Sequence, residues 1–387
     1  PGELLTDQPE TVVAILEKLT GDCNARAVTR GPVSRVLVPK GLTVCLPQLA
    51  TDLDKRLGDD GYVGLNHILT LAQTPRIGPG DDPKPTDEPD PTGDKLGADW
   101  QVAVVDTGMF VPPTEHLQQT AVSAMSEPDV YDGDGNGVID FAGSGHGGFI
   151  AGVFKRMIPD LTVHVRDVAT RDIGRGTFII EEADIIEDVD KALVDDRIAV
   201  VNLSLGTYTD EGDVPALRAA LRRWMAKRPD VLFAAAAGND SVKRPFYPAG
   251  FAGEREFRNA VMSVGALDTS PRKPDPDADW AEFSNRGRWV KAKAPGVHLH
   301  SDYPIDVEFV YGVDQSSSNT DRARFKGLAE WSGTSFATPY AAAEVIRYAK
   351  RCGFKTPREA WEHLRSQSPK VLFPLDALCP GEEPKVY

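Results

Sequence analysis

The chain has 387 residues, 41 % hydrophobic and 26 % charged, the composition of a globular protein long enough for one large domain and a smaller one. Its 43 Lys and Arg face 58 Asp and Glu, a net charge of −15, which argues against nucleic acid and anionic lipid as partners because both need clustered positive charge. No apolar run approaches the ~20 residues of a membrane helix, so no membrane insertion is expected.

In chain order, Leu4, Leu5, Val12, Val13, Ile15, Leu16 and Leu19 follow a helical spacing and predict a helix over 4–20. Residues 33–39 read as a strand and 47–58 as a second helix, so 1–77 form a small α+β unit with a modest core. The composition then changes. Pro79, Pro83, Pro85, Pro89 and Pro91 cannot donate to a ladder, and Asp81, Asp82, Asp87, Glu88, Asp90 and Asp94 repel one another. Residues 78–97 are therefore expected to be an extended, exposed linker, open to proteolytic nicking. Over 98–379 short apolar runs alternate with amphipathic ones. Strands are expected at 102–105, 161–165, 198–203, 231–236 and 261–264, and helices at 147–157, 181–194, 213–227 and 335–350. The fold class that follows is α/β, an open, mostly parallel sheet with helices on both faces. Residues 380–387 read as a tail.

The chain opens on Pro1 rather than Met, so its true N-terminus is expected upstream, and cytoplasmic and secreted locations both stay open. Cys23, Cys45, Cys352 and Cys379 are too few and scattered for a disulfide scaffold or a zinc site. Free buried thiols are the expectation, and one or two disulfides the alternative if the protein is exported.

Open parallel sheets place functional groups at the carboxyl ends of their strands. Asp106 ends the first core strand in Val-Val-Asp-Thr-Gly. His146 lies among glycines in Gly-Ser-Gly-His-Gly-Gly-Phe-Ile-Ala-Gly. Asn239 ends the strand Phe-Ala-Ala-Ala-Ala-Gly-Asn, and Ser335 opens a helix in Ser-Gly-Thr-Ser-Phe-Ala-Thr-Pro, with Pro339 expected near the first turn. Each alone reads as a cap or a turn residue. Together they hold the parts of nucleophilic catalysis. A serine hydroxyl needs an imidazole base, the imidazole needs a carboxylate, and the developing oxyanion needs a donor such as an amide.

These motifs, in the order Asp, His, Asn, Ser, resemble those of the subtilisin-like serine peptidases, a chain order for which subtilisin is itself the standard example. The resemblance covers roughly 98–352. Asp-Thr-Gly at 106–108, His-Gly-Gly-Phe-Ile-Ala-Gly at 146–152, Ala-Ala-Gly-Asn at 236–239 and Gly-Thr-Ser-Phe-Ala-Thr-Pro at 333–339 carry it. Asn202 to Gly206, Phe283 to Asn285 and Ala294 to Gly296 support it. Gly148 and Phe149 depart from it, since the family more often has Thr and His there. The resemblance implies a serine endopeptidase acting through an acyl-enzyme, with Ser335 as nucleophile, His146 as base, Asp106 orienting it, and Asn239 with the Ser335 N–H as oxyanion hole. It implies protein or peptide substrates bound as an added strand along Gly174, Gly176, Ser204, Leu205 and Gly206, with Ala236 and Gly238 lining the pocket. The chemistry requires no cofactor. A non-catalytic peptide-binding relative, or a latent form needing cleavage or a partner, is the competing class.

Residues 132–140, Asp-Gly-Asp-Gly-Asn-Gly-Val-Ile-Asp, match the first nine positions of a calcium loop, with Asp132, Asp134, Asn136 and Asp140 as ligands. Position twelve falls on Gly143, so the usual Glu is missing, and an acidic surface loop is the plainer reading. Residues 1–77 are expected to serve as a prodomain, as a permanent accessory layer, or as a surface for a regulatory partner. His67, His116, His164 and His298 have no partner pattern and are read as structural or solvated.

Overall fold

The computed structural model describes residues 2–380 apart from 21–24, 31–32, 39–44, 59–60, 72–81, 98, 119–121, 125–128, 130, 141–142, 173–176, 210–211, 270–279, 312–321 and 376–378. The chain divides into two compact units. One takes Pro1–Leu69, Ile180–Val194 and Thr207–Pro229; the other takes Thr70–Ile179, Asp195–Gly206 and Asp230–Tyr387.

In the smaller unit, strands Glu3–Thr6 (β1), Arg26–Arg30 (β2), Val33–Leu37 (β3) and Val63–Leu65 (β4) form an antiparallel sheet in the order β2-β3-β1-β4. Helices Pro9–Thr20 (α1) and Leu46–Leu57 (α2) bury Val12, Leu16, Ala50, Leu53 and Leu57 against Leu4, Val36 and Val63. The helix expected over 4–20 is thus a strand followed by a helix. Pro9 fixes the helical φ and has no N–H to lose, and the Thr6 hydroxyl accepts from Gln8 N (3.0 Å), turning the chain just before it. The helix Glu182–Ala192 belongs to this unit. Arg35 pairs with Glu181 and Glu3 and, at 2.6 Å, with Asp184, while His67 Nδ1 meets the buried Glu182 at 2.7 Å. Glu182 also accepts from Leu217 N (2.8 Å), at the start of the helix Pro215–Lys227.

The larger unit is built on an eight-stranded sheet of Gln101–Asp106 (β5), Val122–Ala124 (β6), Thr162–Asp167 (β7), Ile198–Leu203 (β8), Leu232–Ala236 (β9), Val261–Leu267 (β10), Ala292–Pro295 (β11) and Val371–Leu372 (β12). The order is β12-β11-β10-β9-β8-β5-β7-β6, and every pairing is parallel. Its strands are apolar on both faces, as helices demand. Helices His146–Met157 (α3) and Thr334–Cys352 (α4) pack on each other, and Pro357–Gln367 (α5) packs on α4. β5 lies between β7 and β8, the chain crosses from β7 on one side of it to β8 on the other, and such a switch point opens a crevice at the carboxyl ends of the strands.

Sequence periodicity does not reveal a long hairpin, Leu299–Val310 with Arg322–Trp331. Register shifts near Ile305 break its alternation, and charged residues such as Asp306, Glu308, Arg322 and Arg324 sit at its far end. Within the stretch expected as a linker, residues 82–97 are extended and mostly exposed, yet stitched to the larger unit. Lys84 and Pro85 add a short antiparallel strand beside Glu330 and Ala329, His300 N donates to Asp90, Gly93 N donates to Arg156 O (2.6 Å), and Asp160 accepts from Leu96 N and Gly97 N. Free buried thiols are the wrong expectation for three of the cysteines: Cys352 and Cys379 form a disulfide, and Cys45 is a free thiol but an exposed one. Cys23 lies outside the described residues.

Candidate active site

Asp106 ends β5 and His146 begins α3, and both are fully buried. Asp106 Oδ1 accepts from His146 Nδ1 at 2.7 Å and from Thr107 N at 2.8 Å. This bond fixes the imidazole orientation and leaves Nε2 as the other ring nitrogen, which has no hydrogen-bond partner among the described residues. The ring stands edge-on to Trp331 (5.6 Å between centroids) and tilted to Phe336 (5.2 Å), so aromatic rings pack against it. Behind the pair, burial pushes the Asp129 carboxyl up to about 7 and Asp167 up to about 6, against the pull of Arg171.

Ser335 is the second residue of α4 and is fully buried. Its hydroxyl donates to Ser204 O at 3.2 Å, and its own carbonyl accepts from Ser204 Oγ at 2.8 Å. The second bond explains Pro339. That proline sits inside the helix and not in the first turn, where the sequence placed it. Its missing N–H leaves the carbonyl four residues back, that of Ser335, without its helical donor, and Ser204 supplies one. Asn202 Nδ2 in turn donates to Ser204 Oγ (2.9 Å).

Asn239 Oδ1 accepts from both Thr334 N (2.9 Å) and Thr334 Oγ1 (2.8 Å). With Oδ1 held this way, the amide is oriented beside the start of α4. Gly238 N donates to Thr334 Oγ1 (3.0 Å). Gly238 has φ of +93°, and a Cβ there would lie 2.5 Å from Asn285 Nδ2, so no other residue fits. Asn285 is fully buried, donates to Ala237 O (2.7 Å) and accepts from Asp240 N (3.1 Å) and Val242 N (3.0 Å), bracing the whole 237–242 turn. The sequence marks Asn285 only as part of a supporting turn; its clamp and that of Thr334 are visible only once the chain is folded.

The departure at Gly148 and Phe149 has a physical cause. A Cβ at Gly148 would lie 2.2 Å from Phe110 Cε1, so the ring of Phe110 takes the room that a side chain at 148 would need. Phe149 is buried against Phe336 (4.5 Å) and Trp331 (5.6 Å).

Ser204, Leu205, Gly206 and Ala236 are all buried. Leu205 and Gly206 pair antiparallel with Leu71 and Thr70. Gly174 and Gly176 lie outside the described residues. Asp132, Asp134 and Asp140 each bring an oxygen to within 4.8 Å of the others, while Asn136 uses its own Oδ1 to accept from Val138 N (2.7 Å). All four histidines given no partner by the sequence have one: His67 meets Glu182, His116 meets Asp302 at 2.8 Å, His164 Nε2 meets the Gln101 side-chain amide at 2.5 Å, and His298 meets Glu330 at 2.7 Å. Each partner is far off in sequence, so no motif could announce it.

Residues 97–366 match the model of the subtilase family, and the chain belongs to that family. It is 28 % identical over 307 residues to the serine protease AprX of Bacillus subtilis, covering 74 % of this chain and 63 % of that protein. It is 27 % identical over 256 residues to a thermostable alkaline protease of Halalkalibacterium halodurans (64 % and 56 %), and 28 % identical over 256 residues to subtilisin BL of Lederbergia lenta (64 % and 74 %). The chain thus spans less than two thirds of the first two relatives' length. Among solved structures, a mutant of the protease domain of PatA aligns with a TM-score of 0.51 at 22 % identity over 72 % of this chain and 90 % of that one. The prenylagaramide maturation protease PagA aligns at 0.50 with 21 % identity, over 71 % and 84 %. These likenesses establish the α/β fold. Among the described residues no helix is long and apolar enough to cross a membrane.

Proposed function

We propose that this chain is a serine endopeptidase that cleaves peptide bonds through an acyl-enzyme. The carrying observation is the buried Asp106–His146 hydrogen bond, which leaves Nε2 without a partner among the described residues on a ring that packs against Phe336, the neighbour of Ser335. Ser335 Oγ attacks the substrate carbonyl as His146 Nε2 takes its proton, and Asp106 stabilises the imidazolium. The tetrahedral oxyanion is held by the Asn239 amide and the Ser335 N–H. His146 then returns the proton to the leaving amine, and water repeats the sequence to free the acid. The hydroxyl must first leave the Ser204 carbonyl, a small rotation consistent with resting sites whose catalytic bonds tighten on binding substrate.

Substrate adds as a strand along Ser204 to Gly206 and the 174–176 segment, with main-chain bonds giving affinity. The −15 charge favours basic peptides. A latent form is favoured over a non-catalytic one, since Asp106, His146, Asn239 and Ser335 are all present. Thr70 and Leu71 already occupy the edge of Leu205 and Gly206, and Ser335 and His146 are fully buried. We read 1–77 as a prodomain-like unit, 98–379 as the peptidase domain, and 72–81 as the segment cut on activation.

Intact-mass spectrometry with a fluorophosphonate probe tests this. The wild type is expected to gain one probe mass, to shorten by a cut C-terminal to Leu71, and to do neither as Ser335→Ala. A folded wild type that stays unlabelled after it has been cut and diluted would falsify the peptidase reading. We also read Asp132, Asp134, Asn136 and Asp140 as ligands of a structural calcium ion. The carboxylate spacing suits a hard cation, and such an ion would supply order rather than chemistry. A thermal midpoint that rises with calcium and falls with chelator supports it; an unchanged midpoint overturns it.

A further inference from the structure

Asp129 belongs to none of the motifs above, and it is 2 % exposed. Its backbone is tied to the loop that follows Asp106: Asp129 N donates to Met109 O (3.0 Å), and Phe110 forms a parallel bridge with Asp129. Its Oδ2 accepts from Gly145 N at 2.6 Å and from Thr107 Oγ1 at 3.3 Å. Thr107 Oγ1 accepts in turn from Gly147 N at 3.1 Å, and Thr107 N donates to the Asp106 oxygen that holds His146 Nδ1. The residues on both sides of His146 are therefore bonded to Asp129, one directly and one through a single hydroxyl. The same Thr107 also bonds Asp106.

The glycines on either side of His146 have no side chains with which to hold that turn. Gly145 sits at φ +80°, and a Cβ on Gly147 would lie 2.5 Å from Gly108 O, so the turn lies flat on the Asp-Thr-Gly backbone. A buried carboxylate is costly unless it is bonded and paired. Here two donors share Oδ2, and Arg171 Nη2 lies 3.6 Å from Oδ1. The Gly145 bond, at 2.6 Å, is the shorter of the two, which suits a group that fixes geometry.

We propose that Asp129 is a positioning residue for the general base: its carboxylate binds the 145–147 turn to the 106–107 loop and so fixes the heading of the His146 ring. The proposal rests on the peptidase reading. Asp129 touches no reacting atom and acts through Thr107, Gly145 and Gly147. Misplacing a base by an ångström can cost about 10²-fold in rate while leaving substrate affinity alone.

The test compares the full chain, incubated until its length is constant, as wild type, Asp129→Ala, Asp129→Asn and Thr107→Val. The readouts are kcat and KM on a fluorogenic peptide, the rate of fluorophosphonate labelling, and the thermal midpoint. Asp129→Ala is expected to lower kcat about 100-fold with KM within about twofold, and to slow labelling by a similar factor. Asp129→Asn keeps an acceptor for Gly145 N and is expected to recover most of that loss. Thr107→Val keeps the shape, removes the relay hydroxyl and is expected to cost about 10-fold in kcat, so it decides the matter if Asp129→Ala does not fold. Folded variants with wild-type kcat and labelling rate, or a loss confined to KM, overturn the proposal while leaving the peptidase reading intact. A folded wild type that neither labels nor hydrolyses overturns both.

Discussion

At the scale of single residues, the groups proposed to do chemistry are readable from the sequence because acyl transfer accepts so few residue types. Asp106, His146, Asn239 and Ser335 each sit beside small residues that let backbone approach closely, and that combination is rare by chance. The groups that hold them are not readable. Asn285 braces the 237–242 turn that holds Asn239 from 46 residues away, and Ser204 fills the carbonyl left open by Pro339 from 131 residues away. Nothing in a local pattern encodes such pairs. Asn239→Ala is expected to lower kcat about 10²–10³-fold with little change in KM, because it removes a donor that matters only when the oxyanion forms. Steady-state kinetics on a peptide substrate checks it, and a loss carried by KM alone would count against the amide as an oxyanion donor.

At the scale of elements, the core strands and helices are legible from periodicity because both faces of the sheet are covered. The errors fall where local chemistry cuts across the pattern: Pro9 splitting the first apolar stretch, bulges in the 299–331 hairpin, and backbone bonds capturing 82–97. Helix α3 shows how far burial goes, since its Lys155 is fully buried with Nζ donating to Leu161 O at 2.6 Å. Burial pushes that amine down to about 8, against the attraction of Asp160. The folded chain therefore holds fewer protons than the unfolded chain between pH about 8 and about 10.5, and stability attributable to this group rises with pH across that window. Below pH about 8 its penalty is complete. Lys155→Met is expected to flatten the slope of thermal midpoint against pH between about 8 and about 10.5; an unchanged slope would show that the amine is not held in this way.

At the scale of the whole molecule, the alternation of strands and helices gives the α/β class and the change in composition at residue 78 is visible, but the way the chain is shared between two compact units is not. The smaller unit draws on Pro1–Leu69 and also on Ile180–Val194 and Thr207–Pro229, so no single cut separates all of it from the chain. Sequence reading treats a linker as a boundary, whereas this grouping comes from contacts such as Arg35 with Asp184 and His67 with Glu182, which no linear scan contains. The disulfide between Cys352 and Cys379 likewise joins residues 27 apart without a motif to announce it. The interleaving has a thermodynamic consequence. A cut between residues 72 and 81 leaves the first 71 residues attached to the helices at 182 and 215 only by packing, hydrogen bonds and ion pairs. On the reading proposed above, latency then ceases to be a property of one molecule and becomes a binding equilibrium governed by mass action. That reading predicts a severed chain that stays silent in a crowded preparation and awakens on dilution, with a lag set by the off-rate of its own former N-terminus.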